Sequence, residues 1–321
     1  MLYEEALRRI KQSRSKTQEY LLANFQNGGW GYHLGNQPAT EPTAWCAVSL
    51  RDGPSYIKDQ VNQFFLDSQN SDGGWSTGPK IGNSDWSSGP AIFALRLLNT
   101  DGKTEVTDAR IEKALAKAFI YLFDSRIDFY GPTARFFLFL WKGQEGLSYG
   151  RGWPWTPGCF NWIEPTSYNL LALRIPRLPE AGVYREVVLH ANKFFIEHTC
   201  AEGGWNHGSE RALGVNLPPY TVTTAEALLV LQDHKDHPAV TRGLSFLDSV
   251  SDKHPSAMSL AWAILARSVH GQKPGKEVEA LLNSQNKDGS FGSNFMITGL
   301  ASTALATFAG DNPFIFSELI N

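Results

Sequence analysis

Three carboxylates occupy matching places in this sequence. Glu41, Asp85 and Glu164 each follow a tryptophan (Trp30, Trp75 and Trp155) by roughly ten residues, and each opens a run rich in small and apolar residues. A carboxyl placed there can sit at the positive end of a helix dipole, where an anion is stabilised. Surrounded by apolar rings, it can instead keep its proton near neutral pH and act as a general acid. Glu164 is the strongest candidate for the second role, because Trp153, Trp155, Trp162 and Tyr168 crowd it along the chain. Aromatic faces of this kind attract a developing cation, or simply pack.

Other polar and aromatic groups fall in corresponding loops. Tyr32 and His33 precede Glu41 and Trp45 follows it; Trp86 follows Asp85; Trp205, His207 and Tyr220 lie in a later loop. Together with Arg151, Trp153, Trp155, Trp162 and Tyr168, these are the expected substrate contacts. Arg135 and Arg151 suit a diphosphate or a carboxylate, and equally a salt bridge between loops. His198, Cys200 and His207 match no zinc-ligand spacing, so no metal is expected, and no cofactor is implied.

Bringing such loops to one place requires a repeated scaffold, and the sequence carries one. Gln69-Asn70-Ser71-Asp72-Gly73-Gly74-Trp75 stands between two apolar helical runs, and Asp-Gly-Gly ends a helix because glycine supplies a positive φ. Gln285 to Phe291 repeats it with Phe for Trp, Gln26 to Trp30 is a shortened copy, and Cys200 to Trp205 lacks the Gln. Between the copies, helices are expected over 3–25, 41–50, 57–68, 85–98, 111–123, 132–141, 163–173, 187–199, 220–232, 239–250, 256–269, 277–284 and 296–308, with no strand alternation. In each marked pair the first helix has larger and more charged residues, and the second is rich in Ala, Ser, Thr and Leu. An outer and an inner ring would need that contrast. Neither end reads as a polar capping repeat, so closure is expected over an open solenoid, as one domain over residues 1–321.

The bulk properties set limits. The 321 residues are 42% apolar and 19% charged, which excludes a disordered chain, and the net charge of −3 leaves no basic footprint for nucleic acid. No apolar run reaches 18 residues, and the first ten residues carry acids without an apolar h-region, so neither a membrane span nor a secretory signal is read. Three widely spaced cysteines, Cys46, Cys159 and Cys200, suit a reducing compartment. Cytoplasm is the expected location.

The Gln-x-x-Asp-Gly-Gly-Trp stretches between helical hairpins resemble the QW repeats of squalene-hopene and oxidosqualene cyclases, and similar repeats run through protein prenyltransferase β subunits. The resemblance spans about residues 15–310 and implies an (α/α)6 toroid of the terpene cyclase/prenyltransferase superfamily. It also implies an apolar, isoprenoid-type substrate in an aromatic-lined central cavity, cyclised or isomerised after protonation by Glu164 or Asp85. The chain has no Asp-x-Asp-Asp acid motif, no Asp-x-Cys…His zinc set and no Asp-Asp-x-x-Asp. Two other functions therefore stay open: a non-catalytic toroid binding a lipid, peptide or protein, and a lyase or hydrolase using His and carboxylates on a polar substrate. A peripheral membrane contact and a second subunit are kept as further partners. A deep apolar cavity with a buried carboxyl would favour the first function, a filled barrel with a flat patch the second, and an open polar cleft the third.

Overall fold

The computed structural model describes residues 3–79, 81–100, 108–128, 133, 136–137, 140, 151–174, 181–251 and 255–315. Among the described residues six helical hairpins follow one another: α1 (Tyr3–Ala23) with α2 (Thr40–Ser49), α3 (Ser55–Ser68) with α4 (Ser88–Asn99), α5 (Ala109–Asp124) with α6 (Ile163–Arg174), α7 (Ala181–Glu197) with α8 (Thr221–Val230), α9 (Pro238–Val250) with α10 (Ala257–Val269), and α11 (Gly275–Asn283) with α12 (Phe295–Phe308). The two members of each pair differ as their sequences require. In α5 the buried residues are Ile111, Ala114, Leu115, Ala118, Phe119 and Leu122, a single stripe at helical spacing, so one face packs inward and the other meets solvent. In α2 every residue is buried, and α12 is nearly so. A helix without a polar face has to be covered on all sides.

The even-numbered helices form an inner ring. Each packs on the next, α2 on α4, then α6, α8, α10 and α12, and α12 packs back on α2; the odd-numbered helices lie outside. This is the (α/α)6 toroid. Its ends differ in charge: Glu41 and Glu164 lie in the first turns of α2 and α6, while Arg96, Arg174 and Arg267 lie in the last turns of α4, α6 and α10. Both placements follow the helix dipole.

The repeated turns act as knots between the layers. The indole N–H of Trp30, Trp75 and Trp205 donates to a carbonyl of the preceding outer helix (Leu21, Phe65 and Phe195, 2.7–2.9 Å). The backbone N–H of the same residue donates to a hydroxyl in the first turn of the next inner helix, Thr43, Ser88 or Thr224. Phe291 makes the second bond alone, to Thr298. Gln69 donates to Ala114 of α5, and Gln285 donates to Ser13 and Thr17 of α1, so the side chain of the repeat grips the next outer helix. The glycine four residues after it allows that approach. A Cβ on Gly73 would lie 2.4 Å from the Lys117 carbonyl and one on Gly289 2.4 Å from that of Lys16, and both residues have positive φ.

A fifth knot is absent from the sequence reading. Trp153 donates its indole N–H to Leu122 of α5 (2.8 Å) and its backbone N–H to Thr166 of α6 (2.9 Å), like the other tryptophans. The long insertion after α5 hides it, and most of the helix expected over Pro132 to Trp141, together with Arg135, lies outside the described residues. Short strands also occur that the absence of alternation did not reveal. β1 (Ile127–Asp128), β2 (Arg151–Pro154) and β3 (Asn161–Trp162) form a small antiparallel sheet, and β4 (Arg211–Ala212) pairs with β5 (Val215–Asn216). Strands of two to four residues are too short to show an alternation of period two.

Candidate active site

The N-terminal ends of the inner helices form one mouth, and acids gather there. Glu41 and Glu164 each precede a knot hydroxyl, Thr43 or Thr166, by two residues, so the fold delivers them to equivalent places. Glu41 is buried and accepts a 2.7 Å hydrogen bond from the Tyr32 hydroxyl. Burial raises its pKa to about 7, against the opposing pull of Tyr32 and of the Trp45 indole. Trp45 Nε1 stands near enough to favour the charged carboxylate, yet it makes no hydrogen bond of ordinary geometry. Glu164 faces His207, whose Nδ1 lies 2.9 and 3.1 Å from its two oxygens. Burial raises the Glu164 pKa, and the bond from His207 and its charge lower it. The His207 ring itself is half-exposed.

A third carboxyl belongs with these and was not singled out from the sequence. Glu226 is fully buried two residues after the knot hydroxyl Thr224, deeper in the ring than Glu41 and Glu164. Its Oε1 accepts a hydrogen bond from the Tyr168 hydroxyl at 3.1 Å, and its Oε2 has no partner. Burial first, and then the nearby charges of Glu164 and Glu41, push its pKa well above the usual carboxylate range. The signal was legible: Glu226 is the single charged residue in the run Thr221–Val230, and an acid inside an apolar helix needs a reason.

Below the acids lies an aromatic floor. Trp45 of α2 meets Trp262 of α10 edge-on at 5.4 Å, and Tyr168 of α6 lies 6.1 Å from Trp45 and 6.0 Å from Trp262. Trp86 packs on Tyr168 at 5.9 Å and on Trp155 at 4.9 Å. Trp45, Tyr168 and Trp262 are buried, and beneath them lie Phe93 and Phe314, also buried. Among the described residues these rings meet in the middle of the toroid, and an open cavity lies at the mouth. A cavity of about 490 Å³ there is lined by Phe160, Trp162, His207, Leu217 and Tyr220 among others. Its volume suits a small molecule. The His207 ring lies 5.8 Å from Trp162 and 5.2 Å from Tyr220.

The remaining expected residues divide. Asp85 serves its own helix start, its Oδ1 accepting from the Ser87 backbone and hydroxyl and its Oδ2 from the Thr77 backbone. Burial still raises its pKa. His33 is tied at the rim, its Nδ1 2.9 Å from the Ser293 carbonyl. Trp153 and Trp205 are placed away from the cavity, since their indoles are held in the knots between layers. Arg151 lies in β2 close to His190 of α7, behind the mouth. Among the described residues no three potential metal ligands gather. His198 Nδ1 bonds the Phe194 carbonyl, and Cys46, Cys159 and Cys200 are free thiols.

The ensemble can perform proton transfer. A histidine oriented by a carboxylate stands in an aromatic cavity, and buried carboxyls behind it favour their protonated forms. Groups with separated proton affinities at one site are the material of general acid–base catalysis.

No protein-family model matches the sequence, and no curated protein matches it. Solved structures do. A variant of the type II terpene cyclase MstE from Scytonema, in complex with its product merosterolic acid A, is similar with a TM-score of 0.61 and 12% identity over 97% of this chain and 100% of that one. Another variant of that enzyme, holding the substrate geranylgeranyl dihydroxybenzoate, gives 0.56 and 10% over 98% and 100%. A glycosidase variant in complex with glucose gives 0.62 and 9% over 97% and 100%. At such identities the likeness is one of fold: this chain is an α/α toroid of the kind found in a type II terpene cyclase and equally in a glycosidase.

Proposed function

We propose that the chain is an enzyme that protonates an isoprenoid-type small molecule at its mouth and lets the resulting cation cyclise or isomerise against aromatic faces. The observation that carries this reading is the Glu164–His207 pair, bonded at 2.9 Å, with His207 in the wall of an apolar, aromatic cavity and Glu226 buried deeper in the ring. In this reading Glu164 and His207 act as one proton-transferring unit. The acid gives its proton to an oxygen of the substrate, an epoxide or allylic oxygen, as the C–O bond breaks. The same unit then takes a proton from carbon as the double bond forms. An oxygen is the fitting acceptor, because a carboxyl whose pKa burial has raised is a weak acid for a bare alkene. It is well matched to an atom that gains basicity as its bond breaks. Trp162 and Tyr220, which line the cavity, would face the cation, an attraction of about 2 kcal/mol per ring once desolvated. The apolar ligands of MstE on the same fold support the substrate class.

One observation favours a second reading, hydrolysis or elimination on a sugar-type substrate. The His207–Glu164 pair lies at an open mouth rather than at the base of a deep apolar cavity, and a glycosidase shares the fold. Incubation with prenyl epoxides and prenyl diphosphates on one side and aryl glycosides on the other separates the two. Turnover of a prenyl substrate that disappears in Glu164→Gln and His207→Ala is the expected result. Turnover confined to glycosides establishes the second reading, and binding without turnover of either class returns the non-catalytic toroid.

A further inference from the structure

Across the ring from the mouth, a short strap closes the other end. After α12 the chain turns at Gly310, where φ is +102°, and runs under the inner helices. Asp311 pairs with Arg51, which follows α2. Three residues on, the Phe314 carbonyl accepts a 3.0 Å hydrogen bond from Gln232, which follows α8. In the order α2, α4, α6, α8, α10, α12 these two helices stand opposite each other, so the strap crosses the ring along a diameter. Asn312 Oδ1 accepts from the Phe314 backbone N–H at 2.9 Å and fixes the bend between the two anchors.

The strap delivers one ring to the axis. Phe314 is fully buried, stacked on Phe93 of α4 at 5.2 Å with planes 10° apart, and 6.3 Å from Trp45. Trp45 is the residue on which the floor centres, in contact with both Tyr168 and Trp262. Beneath the floor, then, stands a side chain supplied by a tethered segment rather than by a helix of the ring. Well-packed interiors hold their rings by contact on every side, so the height of the floor depends on what supports it from below.

We propose that Phe314 is a depth-setting residue: it seals the toroid opposite the mouth and fixes how far a ligand chain can extend toward the axis. The inference deepens the proposed function and rests on its substrate class. Removing the ring leaves an apolar void under Trp45, and voids of that kind stay dry and admit benzene or xenon.

The test uses Phe314→Ala and Phe314→Leu in the full chain, with near-ultraviolet circular dichroism to establish packing. Two probes are titrated: benzene, and a series of prenyl alcohols of increasing length. The expected result is benzene uptake by Phe314→Ala that wild type lacks, with the best-bound alcohol at least one isoprene unit longer; Phe314→Leu falls between. Gln232→Ala, which releases one anchor without emptying the axis, shifts the length preference in the same direction. A packed Phe314→Ala that takes up no benzene overturns the proposal. So does one that takes up benzene while its preferred alcohol stays the same. If wild type binds no alcohol while Phe314→Ala takes up benzene, the seal is upheld and the isoprenoid reading falls.

Discussion

Replacing Glu41 with Gln should remove a measurable part of the pH dependence of folding. The Glu41 carboxyl has an ordinary value of 4.5 and is raised by burial to about 7 in the fold. Between those values the folded chain holds a proton that the unfolded chain releases. Stability from this group is therefore complete below pH 4.5 and declines as pH rises through 7. With about 1.4 kcal/mol per pKa unit, the loss between pH 5 and pH 8 is about 2.5 kcal/mol. Gln keeps a carbonyl to accept the Tyr32 hydroxyl but cannot ionise, so its stability carries no such decline from this position. Glu164 and Glu226 add slopes of the same sign, and because the Glu41 charge also raises the Glu226 pKa, the difference reports Glu41 together with its coupling to Glu226. Urea unfolding of wild type and Glu41→Gln at half-unit steps from pH 5 to 8 measures it. The variant should gain about 2.5 kcal/mol on wild type across that range. A difference constant within about 0.5 kcal/mol would refute the claim that burial holds the proton there.

Four further outcomes test other parts of the structure. Glu164→Gln and His207→Ala should each lower kcat/KM by about 10²–10⁴, and the double variant should lose little more, because the pair acts as a unit. Under the same assay Glu164→Gln should flatten the alkaline limb of the pH–rate profile, where a required acid loses its proton. Thr224→Val keeps the shape of the side chain but leaves the buried Trp205 N–H without its 2.8 Å acceptor; a loss of about 1–3 kcal/mol in urea unfolding is expected. Gly289→Ala meets both a positive φ and a carbonyl 2.4 Å from the new Cβ, whereas Gly35→Ala meets only the positive φ, with open space around it. The first should cost more than the second, by at least about 1 kcal/mol in the same measurement.

Most of the scaffold was legible because its signals are local. Gln69 to Trp75 announces a helix end, a turn and a contact to the next layer within a few residues, and the contrast between charged and small-residue helices sorts outer from inner. Trp153 escaped because the insertion separates it from Leu122, although its distance to Thr166 equals that of Trp30 to Thr43 and of Trp75 to Ser88. At the mouth, the position of Glu164 was visible beside its cluster of rings. Its bond to His207 spans 43 residues and exists only where two neighbouring hairpins stack. Trp262 looks like an ordinary member of an apolar helix, and Glu226, although conspicuous as the one charge in its run, shows no partner until the ring turns both toward Tyr168. Arg151, by contrast, had the right chemistry in the right loop, and the small sheet directs it outward.

Gln285 bears on how the molecule comes into being. Its side chain, from the last hairpin, holds Ser13 and Thr17 of α1, more than 250 residues earlier. During synthesis the first five hairpins form an arc, in which α1 and the flank of α2 that α12 will cover stay exposed. That surface finds its partner only when the last helices leave the ribosome. Until then it can bind the equivalent flank of another nascent arc, and such swapped assemblies are the expected failure when the last hairpin is shortened or slow to form. The same contact makes the ring a good substrate for circular permutation. Reopening it between two other hairpins would move the late step elsewhere and leave the mouth unchanged.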